Sequence, residues 1–170
     1  IVTAVLVIGV KESARFNTVA VFIKVATIII FITIAGAYLW QNPGVFTTNW
    51  REFIPENKGE FGQFGWSGIA RGASVIFFAY IGFDAVTTTA QEARNPQRDM
   101  PIGLLGSLAI CTILFLAVAT TLTGVMHYSQ LNVAAPVALA INATGVKWGS
   151  LLVNLGALAG LSTVMLVTLL

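Results

Sequence analysis

The run FFAYIGFDAV, Phe77 to Val86, places Gly82 and the ionisable Asp84 inside one of the most apolar parts of the chain. Gly82 lowers helix preference at the point where Asp84 introduces a group that hydrocarbon penalises. Broken backbone in a bilayer survives only where it lines a cavity or is buried in protein, because every freed carbonyl needs a partner. Such carbonyls are also a ligand set: they can hold an ammonium or a cation, while the free N–H groups of helix termini receive a carboxylate. The same residues also read as a mild kink with Asp84 as a local cap. A second reactive group is Lys24 of NTVAVFIKVATIIIFITIAG, which lies about 12 Å inward from Phe16 at the helical rise. Its ammonium either snorkels back to the interface or faces a polar cavity in a bundle. No acidic residue stands within a helical turn of it, so its partners are hydroxyls or carbonyls of another helix. The segment WGSLLVNLGALAGLSTVMLVTLL offers Asn154, Ser162 and Thr163. Hydroxyls in membrane helices mostly bond their own backbone carbonyls, but these could also coordinate an ion or the Lys24 ammonium.

The elements that must position these groups are membrane spans. Of 170 residues, 56% are hydrophobic and only 9% are charged, against about 25% charged in soluble domains. Apolar runs long enough to cross a bilayer occupy roughly 16–40, 67–90, 102–126 and 148–170. The second is interrupted near 78–82. Residues 1–10 are too short to span and lack a basic leader, so they read as the tail of an earlier helix, and the C-terminus stops inside an apolar run. The chain thus reads as a single transmembrane domain cut from a longer polytopic protein, all-α and a membrane helix bundle. The connection from Gln41 to Trp66 is polar and punctuated by Pro43 and Pro55, which marks a surface loop. Its aromatic residues suit the headgroup zone. A short helix at about 135–143 can lie on the membrane surface as a lid. RNPQRDMP, flanked by Pro96 and Pro101, reads as a short loop in which Arg94, Arg98 and Asp99 can form an interfacial ion-pair cluster.

The net charge of +2 rests on few ionisable groups with no basic cluster, which gives no nucleic-acid signal. Cys111, the single cysteine, cannot form an intrachain disulfide. Lys11, Arg15, Arg94 and Arg98 fall on one side of the membrane and Arg51, Lys58, Arg71 and Lys147 on the other, a tie under the positive-inside rule. The first group crowds into shorter loops, which tips that side slightly toward the cytoplasm.

From Lys11 onward the chain resembles the amino acid permeases of the APC superfamily, specifically the cationic amino acid transporter family and its bacterial relatives. GASVIFFAYIGFDAVTTTAQEARNPQRDMPIGLLGSL is similar to that family's sixth span, the following loop and the start of the seventh. KESARFNTVAVFIKV is similar to the approach to the fifth span, and LGALAGLSTVMLV to the eighth. The resemblance implies two inverted five-helix repeats with substrate held at mid-membrane between broken first and sixth spans. It also implies that the Lys11 and Arg94 side is inside the cell. Residue by residue, the carbonyls of Phe78, Ala79 and Ile81 would accept the α-ammonium of an amino acid. Gly82 would permit the break, and Phe78 and Tyr80 would form a gate or pocket wall. Asp84 would tie the second half-helix in place, with Arg94 and Arg98 in the adjoining cytoplasmic loop. Lys24 would occupy the place where sodium binds in sodium-coupled relatives, facing Ser162 and Thr163, and its proton would couple to transport.

The reading is therefore a multi-pass secondary transporter of amino acids in the plasma membrane, working by alternating access with the proton, not sodium, as coupling ion. An exchanger of one amino acid for another is the alternative. No cofactor, metal or nucleic acid is expected, and the partners are the lipid bilayer, the substrate and the remaining spans of the same polypeptide, one to four and nine onward. An intramembrane aspartyl protease needs two carboxylates brought together, and the only other aspartate besides Asp84 is Asp99, in the Pro-flanked loop. A non-transporting membrane scaffold is the remaining class.

Overall fold

The structure is a computed structural model that describes residues 10–51, 54–57, 59–80, 95–146 and 148–169. The described residues are helical or irregular, with no strand among them. Among the described residues six α-helices follow in order: α1 Val10–Gln41, α2 Pro43–Asn49, α3 Gly65–Phe77, α4 Pro96–Val125, α5 Pro136–Ala143 and α6 Gly149–Leu169. Short 3₁₀ turns stand at Phe78–Tyr80 and Tyr128–Gln130. The chain divides into two compact units, Ile1–Trp50 with Leu116–Leu170, and Arg51–Phe115. Residues 1–9, where the tail of an earlier helix is expected, lie outside the described residues.

Within the first unit, α1 is rich in β-branched residues that disfavour helix in water. In hydrocarbon the backbone must satisfy itself, so the same sequence is held helical. Asn17–Gln41 and Pro96–Val125 are both long and apolar enough to cross a membrane. Apolar side chains, Phe22 and Ile29 among them, remain exposed along α1, as they would on a helix facing hydrocarbon. Thr27 and Thr33 return their hydroxyls to Ile23 O and Ile29 O at 2.8 and 2.7 Å, which hides polar atoms inside the span.

Pro43 ends α1 and starts α2. It biases Asn42 away from the helical region (φ −127°, ψ 64°) and then occupies the first turn of the next helix, where its missing N–H costs nothing. The expected loop from Gln41 to Trp66 therefore contains a helix, and the polarity that marked it as surface does not distinguish loop from short helix. This helix is fixed to the end of α4. Asn49 Nδ2 donates to Gly124 O at 2.8 Å, a carbonyl that the helix end leaves without an intrahelical donor, and Trp50 Nε1 donates to Thr123 Oγ1 at 3.1 Å. Gly124 is required by space, because a β-carbon built there would lie 2.8 Å from Phe46 Cδ2 and 2.9 Å from Leu39 Cδ1.

The core of this unit is Phe31, Ala35, Val125, Ala140 and Ile141, so α5 is seated by its Ala140 and Ile141 face. Helices α1 and α6 run antiparallel. A β-carbon on Gly156 would fall 2.6 Å from Thr27 Cγ2, and one on Gly160 would fall 3.3 Å from Lys24 Cδ, so the numbering descends on one helix as it climbs on the other. Glycines four residues apart let the two backbones approach closely, the usual way membrane helices gain dispersion contact.

The second unit begins with a knot of turns around Ser67. Its hydroxyl accepts from Asn57 Nδ2 and from the Gly62 amide, at 3.0 and 3.2 Å, and donates to Phe64 O. Gly62 sits at φ +85°, a conformation that side chains with a β-carbon resist. Helix α4 starts at Pro96, earlier than the span edge read at 102, because Asp99 closes its first turn by accepting from the Asn95 amide at 3.3 Å. Arg98 forms no ion pair among the described residues, so the cluster expected with Asp99 is absent there, and Arg94 lies outside them.

Candidate functional site

The described part of the second expected span ends in a 3₁₀ turn that begins at Phe78. α3 runs in α geometry to Phe77, and the Phe78 amide then reaches back to Val75 O, the tighter i−3 bond of a 3₁₀ turn that continues to Tyr80. A switch from α to 3₁₀ changes which carbonyl each amide takes. Ile81, Gly82 and Asp84 lie outside the described residues. The 3₁₀ turn begins four residues ahead of Gly82 in sequence.

The two aromatic side chains of the turn are placed differently. Phe78 is 69% exposed. Tyr80 is half-buried against α4, with its hydroxyl 3.3 Å from Thr112 Oγ1 and its ring edge-on to Phe115 at 5.8 Å and 84°. Tyr80 therefore anchors the turn to α4 in this structure, and Phe78 is the ring left open.

Lys24, Ser162 and Thr163 all belong to the first unit. Lys24 is half-buried and lines a groove of about 540 Å³ with Thr27, Phe31, Gly156, Gly160 and Leu161. No described residue hydrogen-bonds its ammonium. Thr163 is 5% exposed and shares the Gly156 and Gly160 face of α6, i+7 and i+3 from them. Its hydroxyl donates to Gly160 O at 2.7 Å, and that of Ser162 to Leu158 O at 2.8 Å. Both hydroxyl protons are thus committed to their own helix, while the oxygen lone pairs remain able to accept. The structure brings Thr163 onto the face that meets α1 and puts Ser162 beside that face.

Four residues escaped the sequence reading. Gly156 and Gly160 set the separation between Lys24 and α6, a signal present in their four-residue spacing. Thr27 fills the Gly156 notch. Asn17, seven residues before Lys24 and so on the same face of α1, has a buried Oδ1 with no hydrogen-bond partner among the described residues, the kind of acceptor that a water or a donor normally satisfies.

The amino acid permease family profile matches residues 1–170, the whole chain. The chain belongs to the amino acid permease family. Among its relatives are a methylthioribose transporter of Bacillus subtilis (strain 168), 41% identical over 99% of the chain, and the branched-chain amino acid permease BcaP of the same organism, 37% identical over 99%. Cationic amino acid transporter 9, chloroplastic, of Arabidopsis thaliana is 41% identical over 99%. These alignments cover 34%, 33% and 27% of the respective relatives, so the chain spans about a quarter to a third of their length. No solved structure matches it.

Proposed function

We propose that the protein containing this chain is a proton-coupled amino acid transporter of the plasma membrane, working by alternating access. The observation that carries the reading is the abandonment of α geometry at Phe78–Tyr80, within a motif typical of a permease family. The carbonyls of Phe78, Ala79 and Ile81 receive the α-ammonium. Gly82 lets the chain turn, Phe78 closes over the substrate, and Asp84 fixes the half-helix that follows. Arg94 and Arg98 hold the cytoplasmic loop into α4. Lys24 carries the coupling proton, with Thr163 and Ser162 as acceptors for its ammonium, and no cofactor takes part. The carboxylate of the substrate is held by spans supplied from the rest of the polypeptide, one to four and nine onward.

The full-length protein in liposomes is expected to accumulate an amino acid under an inward proton gradient. Absence of uptake of every amino acid would contradict the reading. Counterflow without a gradient would identify the exchanger variant instead. The 41% identity to a methylthioribose transporter favours one second reading, a small neutral thiosugar as substrate. Including methylthioribose beside the amino acids in the uptake assay separates the two, because it offers no ammonium to main-chain oxygens.

A further inference from the structure

The hydroxyl-bearing residues of α4 do not all behave alike. Ser107 donates to Leu104 O, Thr120 to Leu116 O, Thr121 to Ala117 O and Thr123 to Ala119 O, at 2.7 to 3.0 Å. Thr112 bonds no carbonyl of its own helix. Its Oγ1 instead faces the Tyr80 hydroxyl at 3.3 Å. A hydroxyl that forgoes the back-bond inside an apolar span needs another partner, and here that partner is the last residue of the 3₁₀ turn. Thr112 and Phe115 are three residues apart and share one face of α4, so the same face meets both the hydroxyl and the ring of Tyr80.

We propose that Thr112 is a positioning residue for the broken turn: its hydroxyl, acting through Tyr80, fixes the peptide planes of Phe78–Tyr80 that present oxygen to the substrate. This rests on the permease reading above. Thr112 does not touch substrate. Without its hydroxyl Tyr80 loses this tie to α4, and the carbonyls lose their aim while the span stays inserted. A role in packing alone would lower the amount of folded protein and leave affinity unchanged.

The test compares Thr112→Val, Thr112→Ser, Tyr80→Phe and the Thr112→Val/Tyr80→Phe double variant in the full-length protein reconstituted in liposomes. KM for the transported amino acid is expected to rise about three- to tenfold in Thr112→Val and in Tyr80→Phe, the size of one ordinary hydrogen bond. The double variant should be no worse than either single one, because both remove the same bond. Thr112→Ser should restore the wild-type KM. In parallel, hydrogen exchange at the amides of Phe78 to Tyr80 without substrate should quicken equally in the two single variants and no further in the double. A wild-type KM and wild-type exchange in Thr112→Val, or effects that add in the double variant, would overturn the proposal. If the unaltered protein moves no amino acid yet exchange responds in this non-additive way, the positioning role stands and the permease reading fails.

Discussion

Lys24 lays its aliphatic stem beside Gly160 and reaches a groove whose other walls are mostly apolar. An ammonium at that depth is costly unless something there uses it. Replacing it with alanine is expected to remove the dependence of uptake on the proton gradient while leaving membrane insertion intact, which parallel uptake and surface-labelling measurements check. Unchanged proton dependence would take the coupling role from it. Lys24 was legible in the sequence because a single charge in an apolar run is conspicuous. Thr112 was not, because a threonine in such a run reads as bonded to its own helix, and only coordinates distinguish the one that is not. Asn17 was passed over for a related reason: its orphaned oxygen depends on what surrounds it.

At the scale of elements, two contacts set how helices approach. A β-carbon on Gly156 would stand 2.6 Å from Thr27 Cγ2, too close to be tolerated without movement. Gly156→Val should therefore lower thermal stability in detergent by about 1–3 kcal/mol, the usual cost of overpacking, and Thr27→Ala in the same chain should recover part of it. Additive losses would contradict the close approach of α1 and α6. The second contact is the bond from Asn49 to Gly124 O at the end of α4. Asn49→Ala is expected to cost about 1 kcal/mol, read as a lower Tm, because it leaves a part-buried carbonyl unsatisfied. The long helices follow from apolar runs that hydrocarbon forces to be helical. Helix α2 does not, since Pro43, Gly44 and two threonines resemble a loop until Pro43 is seen at a helix start and Thr48 bonded back to Gly44 O. The early start of α4 was likewise hidden by two prolines, the first of which suits a first turn.

For the whole molecule, family membership narrows the chemistry more than the substrate. The relatives are named for a methylthioribose, for branched-chain amino acids and for cationic ones, though all align over nearly this entire chain. Selectivity among side chains therefore rests on small differences within these spans, or on the two thirds of the relatives' length that this chain does not cover. Under the proposed function, what these spans contribute to every amino acid substrate is recognition of the common backbone group, and the 3₁₀ turn at Phe78–Tyr80 is the part of the chain assigned to it. The most direct measurement is the affinity of the full-length protein for its tightest-binding amino acid against the analogue in which hydrogen replaces the α-ammonium. Several charge-assisted bonds to main-chain oxygen predict an affinity loss of at least about a hundredfold for that analogue. Equal affinity for the two compounds would show that the turn does not hold an ammonium and would contradict the account at its centre.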